Sequence, residues 1–383
     1  MRHIITTLLL LTAVSLPLSA TSQSQSLATA IDQLVSFDFP TRTAAARTVR
    51  RAAPAEAIPA LAAAARSHKD GYVRYRALVL LAGFGEATAT DTMRALIADP
   101  NDRIRAVVYA WFERHPAGDL FAAMIQALEK EQSEFVRPAL TRALVASHAD
   151  PAVRAAVTPL ITRGEDYFRG SVIEALGDYR AGWAAPIIAE VAKLDGPLQD
   201  DAITAMGKIG DKSLLPTLAA LQKSAPRDAQ PSIAAATCLI TGACGPHEDY
   251  LRKTLVVAAS DTQYQPLLRN TGFSLAVLAA RGSKTALAAL LDVAEPSVDP
   301  ARAALALAVG HVALRNPMAI LDGLEARASR DRAIEVLRDA FDMLSEDFEE
   351  ERFFTEVRKA YWAAPEGSPR RAVAQALIDK LEF

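Results

Sequence analysis

The chain has few cysteines, few aromatic residues and no marked excess of either charge. Of its 383 residues only two are cysteine, 6% are aromatic, and the formal net charge is −3. Two cysteines cannot supply the framework of a small disulfide-rich fold. A nearly balanced charge provides no broad positive field to attract phosphate backbones, so no nucleic-acid partner is expected.

The sequence also lacks the short motifs of common active sites. Gly-x-Ser-x-Gly, Ser-x-x-Lys, a phosphate-binding glycine loop and His-Glu-x-x-His are all missing. The densest set of metal-ligand residue types is Cys244, His247, Glu248 and Asp249, whose spacing matches no structural zinc pattern. We therefore expect no enzyme of these classes, no metal and no cofactor.

Long apolar runs are confined to the first twenty residues. A short basic start precedes an almost wholly apolar stretch from Ile4 to Leu18, and the small residue Ala20 follows. This order predicts a cleavable signal peptide over 1–20, then a linker and the start of a capping helix over 21–35. The alternative is an uncleaved N-terminal anchor. We expect the mature chain to be periplasmic or secreted and to contain no transmembrane span.

The two cysteines lie six residues apart in the sequence. On a continuous helix the Cα atoms of Cys238 and Cys244 would be about 9 Å apart, which is too far for a disulfide. Gly242 lies between them and could end the helix and turn the chain back. Either the two residues form a local disulfide, or they are two small buried hydrophobic residues.

Four arginines recur at nearly constant spacing, and each opens an apolar helical run. They are Arg74, Arg105, Arg137 and Arg169, with intervals of 31, 32 and 32 residues. Seven residues after each arginine there is a large apolar residue, namely Leu81, Phe112, Leu144 and Leu176. A fixed period with helical patterning predicts an all-α solenoid, in which each helical hairpin buries its apolar face against the next.

The clearest unit extends from Ala57 to Gly83. Asp70 and Gly71 predict a turn between two helices, with the Asp70 carboxylate capping the second. Apolar residues on that second helix, Val73, Ala77, Leu78 and Leu81, follow the spacing of one buried stripe. Gly83 is expected to end the helix.

This pattern of a first-helix proline, an Asp-rich turn, then Val-Arg and a leucine resembles HEAT repeats, including bacterial repeats related to phycobilin lyases. The prolines are Pro59, Pro159, Pro186 and Pro216, and Asp99 to Arg105 is the closest turn. The resemblance is strong from Phe37 to Gly210 and looser beyond. We predict a HEAT-repeat solenoid over 36–342 and C-terminal capping helices over 343–383, with a break at Pro365 to Pro369.

The recurrent arginines are interpreted as structural. An acidic residue stands three positions before three of them, namely Asp102 before Arg105, Glu134 before Arg137 and Asp166 before Arg169. The spacing predicts a ladder of ion pairs that links neighbouring repeats, and partly buried pairs of this kind fix orientation.

Two sets of residues are candidates for partner binding. Tyr72, Phe135 and Tyr167 each stand two residues before a ladder arginine, so they predict an aromatic stripe along one edge, or alternatively packing against the neighbouring turn. Because the second helices of HEAT arrays usually line the concave face, the other set consists of Tyr75, Arg76, Tyr109, Trp111, Tyr179 and Trp183, some of which must lie in the core.

The sequence favours an exported, non-catalytic scaffold that binds a protein or peptide. The alternative is a small-molecule or pigment carrier, or a lyase-like enzyme, that uses the concave aromatic residues. A third interpretation is a purely structural component of the cell envelope.

Overall fold

The computed structural model describes residues 27–344 and 347–381, so the predicted signal peptide lies outside the described residues. Within these ranges the chain is all-α and contains no β-strand, which confirms the predicted fold class. The α-helices are α1 (27–33), α2 (Phe39–Arg51), α3 (Pro54–Ser67), α4 (Gly71–Ala82), α5 (Glu86–Ala95), α6 (Asp102–Arg114), α7 (Phe121–Lys130), α8 (Val136–Val145), α9 (Pro151–Val157), α10 (Asp166–Asp178), α11 (Ala185–Ala192), α12 (Gln199–Ile209), α13 (Leu215–Ser224), α14 (Gln230–Thr241), α15 (Gly245–Ala259), α16 (Gln265–Ala280), α17 (Lys284–Ala294), α18 (Ala301–Arg315), α19 (Pro317–Glu325), α20 (Asp331–Leu344), α21 (Asp347–Ala363) and α22 (Pro369–Leu381).

Polar caps at the turns define where α4 and α6 begin. The Asp70 carboxylate accepts hydrogen bonds from the backbone N–H groups of Tyr72 and Val73, at 2.8 and 3.1 Å. Asn101 caps α6 in the same way, through the N–H of Arg103 at 3.0 Å. These bonds satisfy N–H groups that have no partner within the helix, so the two turns determine where α4 and α6 begin.

The helices form two rows. The even-numbered helices from α4 to α20 pack side by side as an inner row, and the odd-numbered helices from α3 to α19 form an outer row against them. The predicted stripe on α4, consisting of Val73, Ala77, Leu78 and Leu81, is fully buried between the rows. Two core clusters, from Leu27 to Ile240 and from Ala234 to Leu377, meet in α14. The core therefore continues from one hairpin to the next, as a solenoid requires.

Two glycines allow the inner helices to approach closely. A Cβ atom added at Gly207 of α12 would lie 2.5 Å from the Cα of Ala236 in α14. One added at Gly177 of α10 would lie 2.8 Å from the Cα of Ala205 in α12. The neighbouring backbones leave no room for a side chain at either position, so α10, α12 and α14 are held at short separations.

The disulfide joins two consecutive helices. Cys238 and Cys244 are bonded, with their Cα atoms 4.5 Å apart. Gly242, with a φ of 72°, ends α14 in the left-handed conformation and turns the chain so that the cysteines can meet. Because the two sulfur atoms are bonded to each other, they are not thiolate ligands for a metal.

The C-terminal helices do more than cover the last repeat. Helix α21 packs against α18 and α19 at the C-terminal end of the array and also against α4 near its start. Phe348 of α21 contacts the N-terminal core cluster, while Phe353 and Val357 of the same helix are buried in the C-terminal cluster. Helix α21 therefore closes the array into a ring.

Buried ion pairs hold this closure. Glu351 is only 3% exposed and accepts hydrogen bonds from Arg50 and Arg358, each at 3.0 Å. Glu349 accepts a bond from Arg114 at 2.8 Å. Burial acts to raise the pKa of Glu351, but the two arginines outweigh it and hold that pKa below its ordinary value. The pairs join α21 to α2 and α6, which are remote from it in sequence.

Among the described residues no single helix has the length and apolar character needed to cross a membrane. Helices α18 and α19 meet that test only as a pair, and they are bent by 114° relative to each other.

Replacing Gly207 by alanine is expected to destabilise the array. Although alanine favours a helix over glycine by about 1 kcal/mol, the new methyl group would collide with the backbone of α14. We expect a net loss of about 1–3 kcal/mol in the free energy of unfolding, measured by urea denaturation. The matched control is Gly182→Ala, because an added Cβ there has no atom within 4 Å. Equal stability of the two variants would contradict the close approach of α12 and α14.

Replacing Glu351 by glutamine is expected to open the ring. Arg50 and Arg358 would lose their buried counter-charge, which costs about 3–5 kcal/mol when one member of a buried pair is removed. Urea denaturation should show this loss, and small-angle scattering should show a larger radius of gyration.

The control for this variant lies on the same helix. Glu356 pairs with Lys359 at 2.9 Å at the surface, so Glu356→Gln should cost less than about 1 kcal/mol. If Glu351→Gln leaves the radius unchanged and costs no more than Glu356→Gln, the pair does not close the ring.

Candidate functional site

The recurrent arginines form a ladder between repeats. The Nε of Arg74 donates to the carbonyl oxygen of Ala65 at 3.0 Å, and its guanidinium pairs with Asp99 in the following turn. Arg105 donates to the carbonyl oxygen of Asp99 at 2.8 Å and pairs with Glu131 at 2.9 Å. Each of these arginines thus binds its own turn and an acidic residue of the next repeat.

The prediction that acids three residues before the arginines link neighbouring repeats is wrong, although Asp166 does pair with Arg169. Asp102 accepts from the Ser133 hydroxyl at 3.1 Å instead of pairing with Arg105. Asp166 pairs with Arg169 at 2.8 Å within a single helix, and Glu134 is exposed. An acid in the first turn of the same helix cannot reach across to the next repeat, whereas an acid in the following turn lies beside the guanidinium.

Two further arginines also link neighbouring repeats. The Arg137 guanidinium lies over the Phe168 ring of the next repeat, 3.9 Å from its centroid, so a cation–π contact takes the place of an ion pair. Arg302, outside the recognised repeat, bonds the carbonyl oxygen of Ala294 at 3.0 Å and pairs with Asp339 at 2.7 Å. The ladder therefore extends into repeats that have lost the sequence pattern.

The predicted aromatic edge is present in part. Phe135 is 59% exposed and Tyr167 is 63% exposed, on the neighbouring turns before α8 and at the start of α10. Tyr72 is half-buried against the core, with its ring 5.8 Å from that of Tyr75. The exposed part of the edge thus consists of Phe135 and Tyr167, which we call the turn edge.

Half of the concave surface that the HEAT resemblance implied lies in the core. Tyr75, Tyr109 and Trp111 are buried, and the Tyr109 hydroxyl donates to the carbonyl oxygen of Ile97 at 3.3 Å. The Trp111 ring stacks on His115 with centroids 4.0 Å apart. Lateral packing of the inner helices places these large side chains between neighbouring helices, so they belong to the core.

The other predicted concave residues are engaged with neighbours or half-buried. The Tyr179 hydroxyl donates to Glu113 at 2.8 Å. The Trp183 indole N–H lies 3.3 Å from the Nδ1 of His148, and the Arg154 guanidinium lies 4.9 Å from the Trp183 ring. Arg76 is half-buried.

A cavity of about 250 Å³ lies at the centre of the ring, where the inner helices end. Five basic residues, two acids, a tyrosine and a histidine line it together with two apolar residues. The lining consists of Glu113, Arg114, Arg142, Asp178, Tyr179, Lys208, Val277, Ala280, Arg281, His311 and Arg315. We call it the central cavity.

The position of these cations follows from helix direction. Arg114, Lys208 and Arg315 occupy the last turns of α6, α12 and α18, and Arg281 directly follows the last residue of α16. The C-terminal end of a helix carries a partial negative charge, which favours basic side chains there. Closing the array into a ring brings these ends together around one space.

Asp178 connects three elements of the wall. Its carboxylate lies 2.7 Å from Lys208, 3.1 Å from Arg142 and 3.4 Å from Arg315. Burial acts to raise the pKa of Asp178, but the three cations hold it well below its ordinary value. Arg315 also pairs with Glu174 at 3.0 Å, and these surroundings lower the pKa of Glu174 to about 2. Both acids are therefore ionised at neutral pH.

His311 and Arg281 are the least compensated groups of the wall. Burial, then the charges of Arg315 and Lys208, lowers the pKa of His311 to about 3, so its imidazole is neutral at physiological pH. The His311 ring meets Phe273 edge to face at 4.9 Å. Burial, and next the charge of Arg180, lowers the pKa of Arg281, which forms no salt bridge within the described ranges.

Sequence reasoning missed the central cavity. A signal for it was present, because basic residues recur in the last turns of the second helices, as in Arg114, Lys208 and Arg315. That signal alone indicates favourable helix ends and does not show that they face one another. The arrangement can neutralise and orient charged groups, and its wall is rich in hydrogen-bond donors.

Replacing Asp178 by asparagine is expected to destabilise the protein at neutral pH by about 3 kcal/mol, because three cations lose a shared counter-charge. The folded pKa of Asp178 lies below the unfolded value of about 3.9. The stabilisation is therefore complete above that value and is lost as pH falls through the folded pKa. Urea denaturation of both proteins should show a difference that shrinks below about pH 4.

The control for this variant is Asp249→Asn. Asp249 forms an exposed pair with Arg252 at 3.4 Å, so its removal should cost less than about 1 kcal/mol at any pH. A difference between the Asp178 variant and the parent protein that stays constant from neutral to acid pH would contradict the assigned role of Asp178.

Comparison with known proteins identifies the repeat. A family model of HEAT repeats matches residues 27–111. No curated protein matches the sequence at a significant level. Solved structures with similar folds include Escherichia coli YibA, at 18% identity and TM-score 0.42, covering 56% of this chain and 81% of that one.

Two other solved structures are a bacterial lyase complex and a complex of Kap121p. The CpcE and CpcF complex of phycocyanin lyase from Nostoc sp. PCC7120 has 18% identity and TM-score 0.41, covering 68% of this chain and 96% of that one. Kap121p bound to Nup53p has 13% identity and TM-score 0.44, covering 94% of this chain and 49% of that one. The family match shows HEAT repeats over residues 27–111, and two-row packing of helical hairpins continues beyond them.

Proposed function

We propose that this protein is an exported, non-catalytic scaffold that binds a protein partner through the turn edge. The observation that carries the proposal is the exposure of Phe135 and Tyr167 on neighbouring turns. Large aromatic side chains that remain at the surface are the usual anchors of protein recognition. Tyr75, Tyr109 and Trp111 of the inner helices are buried in the core, so the turn edge takes over the binding role expected of them.

The charge around the turn edge defines the kind of partner. Exposed acids flank both aromatic residues, with Glu134 beside Phe135 and Glu165 beside Tyr167, and the neighbouring Asp166 is paired with Arg169. Complementary charge guides association and excludes partners of like charge. The partner is therefore a protein segment that presents lysine or arginine beside apolar side chains.

A non-catalytic role agrees with the state of the charged groups in the central cavity. Glu113 and Asp178 are each held by Arg142, and Asp178 is held by Lys208 as well. No serine, threonine or cysteine belongs to the described wall of this cavity. Carboxylates held in this way are poor general bases, since the bound cations stabilise the ionised form.

Two features support export. The N-terminal run from Ile4 to Leu18 has the composition of a secretory signal. The bond between Cys238 and Cys244 is of a kind that persists in oxidising compartments, such as the periplasm, and is rare in the cytosol.

Capture from the envelope fraction of the source cells tests the proposal. The full chain, expressed with its N-terminal segment, serves as bait, and the mass of the recovered bait reports whether residues 1–20 have been removed. A specific partner should be recovered together with the bait. The double variant Phe135→Ser, Tyr167→Ser should reduce its capture by about 30-fold or more, as expected when anchor residues are lost.

The control is Trp362→Ser, which removes a side chain that is 74% exposed on α21, away from these turns. Circular dichroism should show all three proteins equally helical. The absence of any specific partner, or equal capture by the double variant and the control, would overturn the proposed function.

A further inference from the structure

We propose that the central cavity is a binding site for a small anion with carboxylate or phosphate groups. Its position at the converging ends of the inner helices is separate from the turn edge. The inference therefore goes beyond the proposed scaffold function and does not depend on it.

The wall carries more positive than negative charge. The basic residues are Arg114, Arg142, Lys208, Arg281 and Arg315, against the acids Glu113 and Asp178. Glu174 and Glu349 lie outside this lining and pair with Arg315 and Arg114. When these two acids are included, five basic residues face four acidic ones. Glu349 is also shared with Arg352, so the balance stays positive.

Among the basic residues of the wall, Arg281 is the one that has no carboxylate partner. Arg142, Lys208 and Arg315 each have a carboxylate within 3.1 Å, whereas Arg281 forms no salt bridge with any described residue. Because Arg281 is exposed, an anion in the cavity can reach its guanidinium, which forms strong charge-assisted hydrogen bonds with carboxylate and phosphate oxygens.

The end of α16 does not use the Arg281 side chain as a cap. The carbonyl oxygens of Val277, Leu278 and Ala279 accept bonds from backbone N–H groups of residues 281–283. The carbonyl oxygen of Ala280 accepts the side-chain N–H of Asn316 at 3.1 Å. Because these carbonyls are satisfied, the partial negative charge of the helix end does not need the guanidinium, which remains available to the cavity.

His311 supplies a second donor. Its ring is half-buried and lines the cavity, and its nitrogen atoms form no hydrogen bond to any described residue. A neutral imidazole has one N–H donor and one acceptor nitrogen. The charged groups that act on it are Arg315, Lys208, Glu174 and Asp178. An anion placed between Arg281 and His311 would accept from both and would favour the protonated imidazole.

The size of the cavity sets the size of the ligand. Its volume of about 250 Å³ is below the range of about 300–1,000 Å³ typical of drug-sized ligands. It corresponds to roughly eight water molecules at about 30 Å³ each. Inorganic phosphate, succinate and citrate are therefore suitable probes, since they differ in the anionic group and share small size.

Isothermal titration of the purified full chain with each probe, at constant ionic strength and with chloride as the reference anion, tests the site. We expect at least one probe to bind with a Kd near or below about 1 mM, and to raise the melting temperature. Arg281→Gln should weaken this binding at least about tenfold, a change of about 1.4 kcal/mol. Since Arg281 has no ion pair to lose, the ligand-free variant should keep the parent melting temperature.

The matched control is Arg252→Gln, which changes the net charge equally but lies exposed on the outer row. Binding of phosphate alone assigns a phosphate site, and binding of the organic acids alone assigns a carboxylate site. NMR at constant pH gives an independent measurement, because a bound anion should shift the His311 ring signals. No binding beyond chloride by any probe, or equal weakening in the Arg281 and Arg252 variants, would overturn the proposal.

Discussion

The lateral burial of one helical hairpin against the next is the interaction on which the rest of this structure depends. Each inner helix has an apolar stripe whose exposure to water is unfavourable, and a neighbouring hairpin supplies the surface that covers it. A linear array of this kind always has two uncovered ends. In this protein α21 covers surface at both, since it contacts the N-terminal core through Phe348 and the C-terminal core through Phe353.

Closing the array has an electrostatic consequence. The C-terminal ends of the inner helices carry basic residues, and the ring brings these ends to a common centre. Cations that would be solvated on an open solenoid must then be compensated inside the molecule. Shared carboxylates do this, with Asp178 serving three cations and Glu351 serving Arg50 and Arg358. The ion pairs that stabilise the ring therefore include residues that line the central cavity.

Lateral packing also decides which aromatic residues reach the surface. Tyr109 and Trp111 occupy second helices, where they fill the space between neighbouring helices. Phe135 lies on the turn before α8, and Tyr167 lies in the first turn of α10, so both stand at the ends of inner helices. Phe135 and Tyr167 therefore retain the exposure that residues of the inner row lose.

Local patterns in the sequence determined the class of the fold and the boundaries of its units. The period of the arginines, the apolar stripe of α4 and the cap at Asp70 all act over a few residues, so a linear sequence can display them. What only the tertiary structure decided are the contacts between distant repeats, such as Arg315 with Glu174 and Arg50 with Glu351. The small rotation between successive hairpins accumulates along the array and decides which distant repeats meet. No local sequence pattern indicates this total rotation.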